Sequence, residues 1–221
     1  MHLVLTDRLT CVRCGPTFGL ILLADELQER RVIRGSLGCP NCRERYEIEA
    51  GFADLRVAPK HELTPRAGSW PQAGAPGEGG DAGVEAGVEA ATLRQLLGMG
   101  EGPGFTLLVG RAAAWAARLA QGLPDGAEVV ALDEAARSWP EQPGISRLVA
   151  GPGMPFFSQT VRGVLLHGAD SWYQDLAEAA RVLAPRHRVV VLDAPDDAAD
   201  RLAAAGLQGA VRSGRLAAVA R

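Results

Sequence analysis

The stretch that decides the fold is Phe105-Thr-Leu-Leu-Val109, which is followed by Gly110 and then by an alanine-rich run over 112–120. An almost wholly apolar run of this length predicts a strand buried on both faces, the strand type of parallel sheets. Alanine is the best helix former, so the second run predicts a helix. A buried strand that leads directly into a helix indicates a parallel sheet covered by helices.

The same alternation continues to the C-terminus. It predicts strands at 128–132, 145–150, 163–167 and 188–192, helices at 92–97, 172–183 and 198–205, and a last hairpin of strands at about 209–212 and 216–220. We expect the hairpin to be antiparallel. The sequence therefore predicts an α/β domain over residues 91–221.

Three motifs of this domain carry a resemblance to a known family. They are Pro155-Phe156, Val164-Leu-Leu-His167 and Glu178-Ala-Ala-Arg181-Val-Leu-Ala-Pro185, the last followed by a strand. In this order they resemble class I S-adenosylmethionine-dependent methyltransferases, although Arg186-His187 replaces the family's glycine pair. The resemblance implies a Rossmann-like, mostly parallel sheet with an antiparallel C-terminal hairpin.

The cofactor loop departs from the family pattern, which has an acidic residue in the first strand and then G-x-G-x-G. Gly110 is kept, but Ala112 and Ala114 occupy the other two glycine positions, and Leu108 occupies the acidic one. Asp133 stands where the family's second-strand carboxylate holds the ribose. The resemblance implies S-adenosylmethionine contacts at Gly110 and Asp133; the alternative is that Asp133 only caps the strand or the next helix.

Further polar and aromatic residues have two interpretations each. His167 and Asp170 follow the fourth strand of this domain, where they could act as acid or base, or Asp170 or Ser171 could cap a helix. The aromatic side chains could line a pocket or belong to the core; they are Trp115, Trp139, Trp172 and Tyr173.

All four cysteines lie near the N-terminus in two C-x-x-C pairs, Cys11/Cys14 and Cys39/Cys42. Two such knuckles suit a tetrahedral metal ion, which predicts a structural zinc site closed to water and substrate. Iron in a rubredoxin-like site is the main alternative. Disulfides are not expected, because no secretory signal is seen.

The residues around these cysteines resemble the Trm112-type zinc ribbon. The resemblance lies in Leu9-Thr10 before the first pair, Cys39-Pro40 in the second, and Tyr46-x-Ile48-x-x-Gly51-Phe52 after it, whereas Ala53 stands where the family often has proline. Proteins of that family dock on a methyltransferase and stabilise it. The resemblance thus implies a protein partner: the chain's own second domain, a second copy, or a separate methyltransferase. Another type of zinc ribbon is the alternative.

Composition divides the chain into three parts. We predict a zinc ribbon at residues 1–57, a flexible Pro/Gly-rich linker at 58–90, and the methyltransferase-like domain at 91–221. Trp70 could pin the linker to a domain surface. A ribbon of this size buries little apolar surface, so its metal would supply much of its stability.

Charge and hydropathy limit the classes of partner that the chain is expected to bind. The net charge is −3, which does not favour nucleic acid. Seven of the ribbon's arginines are interleaved with its five glutamates: Arg8, Arg13, Arg30, Arg31, Arg34, Arg43 and Arg45, and Glu26, Glu29, Glu44, Glu47 and Glu49. We interpret them as a mixed solvated face, and the alternative is a ribbon that binds nucleic acid. No apolar run is long enough to cross a membrane, and we expect a cytoplasmic protein.

Two functions follow from these features. The first is a zinc-binding, non-catalytic methyltransferase-like protein, a pseudoenzyme that acts as a binding or scaffold module. The alternative is an active S-adenosylmethionine-dependent methyltransferase with a divergent cofactor loop and a built-in zinc ribbon.

Overall fold

The computed structural model describes residues 1–61, 63, 88–100, 102–168, 176–213 and 216–220. Its strands are β1 (Ile21–Gln28), β2 (Arg31–Gly38), β3 (Arg45–Glu49), β4 (Phe52–Leu55), β5 (Gly104–Val109), β6 (Ala127–Leu132), β7 (Ile145–Ala150), β8 (Val161–His167), β9 (Leu183–Leu192), β10 (Gln208–Ser213) and β11 (Leu216–Ala220). Its α-helices are α1 (Leu3–Thr6), α2 (Ala90–Leu96), α3 (Ala116–Leu119), α4 (Leu176–Val182) and α5 (Ala198–Ala204), and two 3-10 helices span Gly110–Trp115 and Glu134–Ser138.

A parallel block of strands forms the centre of the structure. Strand β5 pairs in parallel with β6 on one side and β8 on the other, and the block extends to β7 and β9. Strand β11 is antiparallel to β9, and β10 is antiparallel to β11. The predicted fold class is therefore confirmed: a mixed α/β, Rossmann-like sheet with an antiparallel C-terminal hairpin.

The four N-terminal strands belong to the same sheet. Strands β1 to β4 form an antiparallel meander, and β4 then pairs in parallel with β7, from Phe52 beside Arg147 to Leu55 beside Ala150. The result is one eleven-stranded sheet in the order β1-β2-β3-β4-β7-β6-β5-β8-β9-β11-β10. The cysteine-bearing unit thus extends the edge of the parallel block directly.

Buried ion pairs join the two parts beside this strand pairing. Arg31 of β2 donates from Nη1 to Glu128 Oε1 at 2.9 Å and from Nε to Glu141. Ser146 donates its hydroxyl to the same Glu128 oxygen at 2.7 Å. Arg147 donates to Glu141 Oε2 at 3.0 Å and to the backbone oxygen of Ala50. The junction is therefore a polar network rather than a purely apolar contact, and among the described side chains the buried Nε of Arg147 is one of two buried polar atoms without a hydrogen-bond partner.

Two local predictions need correction. The apolar run at 18–24 by itself predicts a buried strand or short helix, but Ile21 and Leu23 of β1 are 57% and 55% exposed, because β1 is the outermost strand of the described sheet. Pro185 was expected to end a helix at 172–183, but α4 ends at Val182 and β9 begins at Leu183. The pairing of β9 with β8 is irregular around Pro185, where a missing backbone N–H is tolerated.

Several predictions concern residues outside the described ones. They include Trp70 and most of the 58–90 linker, as well as Asp170, Ser171, Trp172 and Tyr173. The three domain boundaries therefore stay predictions. Within the described residues, no helix has the length and apolar character needed to span a bilayer.

Candidate metal centre and cofactor site

The four cysteines converge at one point of the N-terminal unit. The sulfur atoms of Cys11, Cys14, Cys39 and Cys42 all lie within 4.8 Å of one another. Cys11 Sγ is 3.6 Å from Cys42 Sγ, and Cys39 Sγ is 3.8 Å from Cys14 Sγ. Each close contact therefore joins one knuckle to the other, as a shared ion requires.

These distances fit a metal and not disulfides. A disulfide needs sulfurs about 2.05 Å apart, and all four cysteines are free. Tetrahedral ligands with Zn–S bonds of about 2.3 Å would lie about 3.8 Å from one another, which agrees with both measured pairs. The S4 donor set suits zinc or iron.

Backbone geometry favours a thiolate at Cys39 of the second knuckle. Burial raises the pKa of Cys39, but backbone N–H groups of Cys42 and Asn41 point at its sulfur and lower that pKa to about 7. Arg43, with φ at +62°, closes the turn by donating its N–H to the carbonyl of Cys39. At Cys39 the local fold thus favours the thiolate, the form that binds metals. At Cys42 the backbone N–H of Glu44 lowers the pKa, but burial and the neighbouring thiols of Cys14, Cys39 and Cys11 outweigh it and raise this pKa.

Two residues that the sequence did not assign to this site support the cysteines. Tyr46 is fully buried and its hydroxyl lies 3.2 Å from Cys11 Sγ. Asn41 donates from Nδ2 to Cys14 Sγ at 3.3 Å. The alternation of β3 placed Tyr46 on the buried face, but strand periodicity gives no information about what a hydroxyl touches. Such outer contacts orient metal ligands and tune them.

The predicted cofactor contacts lie at the carboxyl ends of β5 and β6. Gly110 has φ at +59° and opens the 3-10 helix Gly110–Trp115 directly after β5. Leu108, Ala112 and Ala113 are completely buried in one core cluster, while Arg111 is exposed at this edge. The chain therefore turns at once into a packed helix, with a cation in its first turn.

Asp133 serves as a helix cap. It follows β6, is half-buried, and its Oδ1 accepts a hydrogen bond of 2.7 Å from the backbone N–H of Ala135. It is the N-cap of the 3-10 helix Glu134–Ser138. This is the capping role that the sequence left open as the alternative to ribose binding.

No protein-family model and no curated protein sequence matches the chain. Solved structures do match it. A SAM dependent methyltransferase from Aquifex aeolicus aligns with a TM-score of 0.45 and 16% identity over 59% of this chain and 87% of that chain. The tRNA (m1A58) methyltransferase TrmI from Aquifex aeolicus aligns with a TM-score of 0.43 and 12% identity, over 59% and 68%. A 1,6-didemethyltoxoflavin-N1-methyltransferase from Burkholderia thailandensis aligns with a TM-score of 0.40 and 19% identity, over 60% and 76%.

This chain has a methyltransferase-like fold. The strand order, a parallel block followed by an antiparallel hairpin, is the basis for this assignment. Similarity to solved structures at these identities concerns the fold alone. Such similarity assigns neither a cofactor nor a substrate to this chain; both depend on the residues at the carboxyl edge of the sheet.

The remaining predicted residues divide between core and edge. Trp115 and Trp139 are buried in the same core cluster as Leu108, which agrees with a packing role. His167 ends β8 and is half-buried, while its predicted partner Asp170 lies outside the described residues. The acid–base hypothesis for this pair stays a prediction.

The structure also shows how the motif Glu178-Ala-Ala-Arg181 acts. Arg181 donates to the carbonyls of Phe156 and Met154 at 2.6 and 2.7 Å, and Glu178 accepts from the Met154 N–H at 2.9 Å. Arg181 Nε also donates to Glu178 Oε1 at 2.6 Å. The motif therefore fastens α4 to the loop that follows β7.

Three of the seven arginines that alternate with glutamates in the ribbon have acidic partners among the described residues. Arg13 lies 3.3 Å from Glu44, Arg45 lies 3.3 Å from Glu47, and Arg31 is buried in the ion-pair network. These pairs support the interpretation of a mixed face.

Proposed function

We propose that this chain is a non-catalytic, methyltransferase-like protein in which a zinc-bound ribbon completes the edge of the sheet, and that it acts as a binding or scaffold module. The four cysteine thiolates would hold the zinc. With all four positions filled by sulfur, the ion would stabilise structure and leave no position for chemistry.

The observation that carries the proposal is the carboxyl end of β5. No acidic residue occurs from Gly104 to Leu119, and the first residue after Gly110 is Arg111. S-adenosylmethionine brings a sulfonium and an ammonium group to this edge in the methyltransferases that the chain resembles. Here the ammonium would meet no carboxylate from this segment.

The capping role of Asp133 supports the same proposal. One carboxylate oxygen already accepts the N–H of Ala135 at 2.7 Å, so ribose binding would compete with or share the cap. A protein-binding role is further supported by the apolar side chains of Ile21, Leu23 and Leu27, which are exposed on the unpaired edge strand β1.

An active methyltransferase is the second candidate, and one observation favours it. Gly110 and Asp133 directly follow Val109 and Leu132, which are paired neighbours on parallel β5 and β6. Two of the family's contact positions are therefore still side by side at the edge where ligands of open α/β sheets bind.

A thermal-shift measurement with the full chain separates these candidates. A ligand at one hundred times its dissociation constant stabilises the folded state by about 2.7 kcal/mol. Under the proposal, 1 mM S-adenosylmethionine leaves the melting temperature unchanged. A rise of several degrees that saturates at micromolar cofactor would instead support the active enzyme.

A further inference from the structure

We propose that the cavity between the first cysteine knuckle and the sheet is a binding site for a small organic anion with an apolar body. This inference goes beyond the proposed function and does not depend on it. The cavity has a volume of about 590 Å³, within the range of about 300–1,000 Å³ typical of small-molecule sites.

Its position in the fold is one where ligands bind. Strands β4 and β7 run in parallel and end at Leu55 and Ala150. Residues of the segments that follow them, 56–61 and 151–153, line the cavity. The cavity thus opens at the carboxyl edge of the sheet, where open α/β folds hold their ligands. It lies at the ends of β4 and β7, and β6 separates these strands from β5 and Gly110.

The wall is largely apolar. Val57 and Pro59 line it from the N-terminal unit, and Ala150 and Pro152 line it from the sheet. Val12 also lines it, from between Cys11 and Cys14. One wall is therefore set by the metal-binding knuckle. A ligand needs a non-polar body to gain from such a surface.

Cationic groups converge on the same space. Arg56, Lys60 and His61 all line the cavity. Arg56 is fixed by two hydrogen bonds to the Asp54 carboxylate, at 2.9 Å from Nε and 2.8 Å from Nη2, and by one at 3.0 Å to the carbonyl of His61. Lys60 Nζ lies 3.6 Å from the same carboxylate.

The charge balance here favours an anion. One carboxylate, Asp54, serves two permanent cations, Arg56 and Lys60, so this trio carries a net charge of about +1. The exposed carboxylate of Glu134 also acts on Arg56, but neither Glu134 nor Asp54 is among the described residues that line the cavity, whereas Arg56, Lys60 and His61 are. His61 faces Glu134 at 3.5 Å, and both side chains are well exposed, so that pair is screened by water. An incoming carboxylate, sulfonate or phosphate would balance the remaining charge of the trio.

Gly151 offers a way to fill the cavity without damaging the fold. A Cβ added at Gly151 would meet no heavy atom within 4 Å, and its backbone is not left-handed. The same two properties hold at Gly100, which follows α2 and does not line this cavity. Gly151→Phe and Gly100→Phe are therefore a matched test and control.

The experiment titrates the full chain with 1-anilinonaphthalene-8-sulfonate, an aromatic sulfonate that fluoresces when its rings leave water. We expect saturable binding of one probe per chain. Gly151→Phe should weaken it at least about tenfold by occupying the space, and Gly100→Phe should leave it unchanged. Lys60→Gln should weaken probe binding by about threefold at low salt. At high salt the difference between this variant and the unmodified chain should be smaller, because ions screen the lysine charge.

Two results would overturn the proposal. One is binding that does not saturate or that Gly151→Phe leaves intact. The other is binding that disappears in Leu23→Lys, which would place the probe on the exposed edge strand β1 instead. Circular dichroism of each variant verifies that the fold is kept, so that lost binding reports the cavity.

Discussion

Phe52 of β4 lies beside Arg147 of β7 in parallel register. This pairing makes the last strand of the cysteine-bearing unit an interior strand of the methyltransferase-like sheet. Arg147 is 1% exposed and donates to the carbonyls of Ala136 and Trp139 as well as Ala50. The small unit and the α/β part therefore share backbone pairing, a core and buried charges, and we expect them to unfold together.

The first prediction concerns the metal. Purified protein should contain one zinc per chain, and Cys39→Ser should lose it and melt at a lower temperature, because zinc binding stabilises small domains by about 10 kcal/mol or more. Elemental analysis and thermal denaturation measure both effects. Asn41→Ala is the control: it removes only the 3.3 Å hydrogen bond to Cys14 Sγ and should keep the full metal content. Iron in place of zinc would contradict the metal assignment.

The second prediction concerns the junction between the two parts. Arg31→Met leaves Glu128, which is 4% exposed, without its cation, and should lower the free energy of unfolding by about 3–5 kcal/mol. Urea denaturation measures the change. Removing the acid as well, in Arg31→Met with Glu128→Gln, should recover part of the loss.

The matched control for that substitution lies on the surface of the same unit. Arg45 pairs with Glu47 at 3.3 Å, with both side chains more than half exposed. Arg45→Met should change the free energy of unfolding by about 0–1 kcal/mol. Equal effects of the two substitutions would show that the buried network does not hold the junction.

The strands of the α/β part could be predicted from the sequence because they are apolar runs separated by helical segments and turns. The strand at 145–150 agrees with β7 at both ends. The candidate metal site could be predicted because the spacing of cysteines within a knuckle is a local property of the sequence. The pairing of β4 with β7 could not be predicted, since the register between strands that are distant in sequence leaves no local signal. Nor could Arg31, Glu128 and Glu141 be assigned to one network.

The exposure of the apolar run at 18–24 could not be predicted for a related reason. An apolar run looks the same whether its strand is central or at an edge. Only the strand order shows that Ile21 and Leu23 lie on the outermost strand.

The third prediction concerns acid stability. Burial raises the pKa of Glu141, but the amino group of Met1 together with Arg31 and Arg147 outweighs it, so that this pKa lies below its ordinary value. A carboxyl with a lowered folded pKa stabilises the protein fully above its unfolded pKa of about 4.3 and loses that contribution as the pH falls through the folded value.

Glu141→Gln should therefore destabilise the protein most near neutral pH, and the difference from the unmodified chain should shrink below about pH 4. Chemical denaturation across a pH series measures it. Glu49→Gln is the control, since the Glu49 side chain is 76% exposed and lies 3.9 Å from Arg137. A Glu141→Gln effect that does not vary with pH would contradict the role of this carboxylate.

The fourth prediction concerns Asp133. If its role is to cap the helix, Asp133→Asn should keep nearly full stability, because asparagine is an equally good N-cap, whereas Asp133→Ala should cost about 1 kcal/mol. Thermal or chemical denaturation compares the two. If both substitutions left stability unchanged, Asp133 would not act as a cap, and a ligand-binding role would become the better explanation.

The most direct measurement of the central claim is isothermal titration of the full, zinc-loaded chain with S-adenosylmethionine, repeated with Asp133→Asn. The proposed non-catalytic role predicts no saturable heat for either protein at up to millimolar cofactor. Micromolar binding to the unmodified chain that is lost in Asp133→Asn would contradict it, and would show that Gly110 and Asp133 still form a working cofactor site.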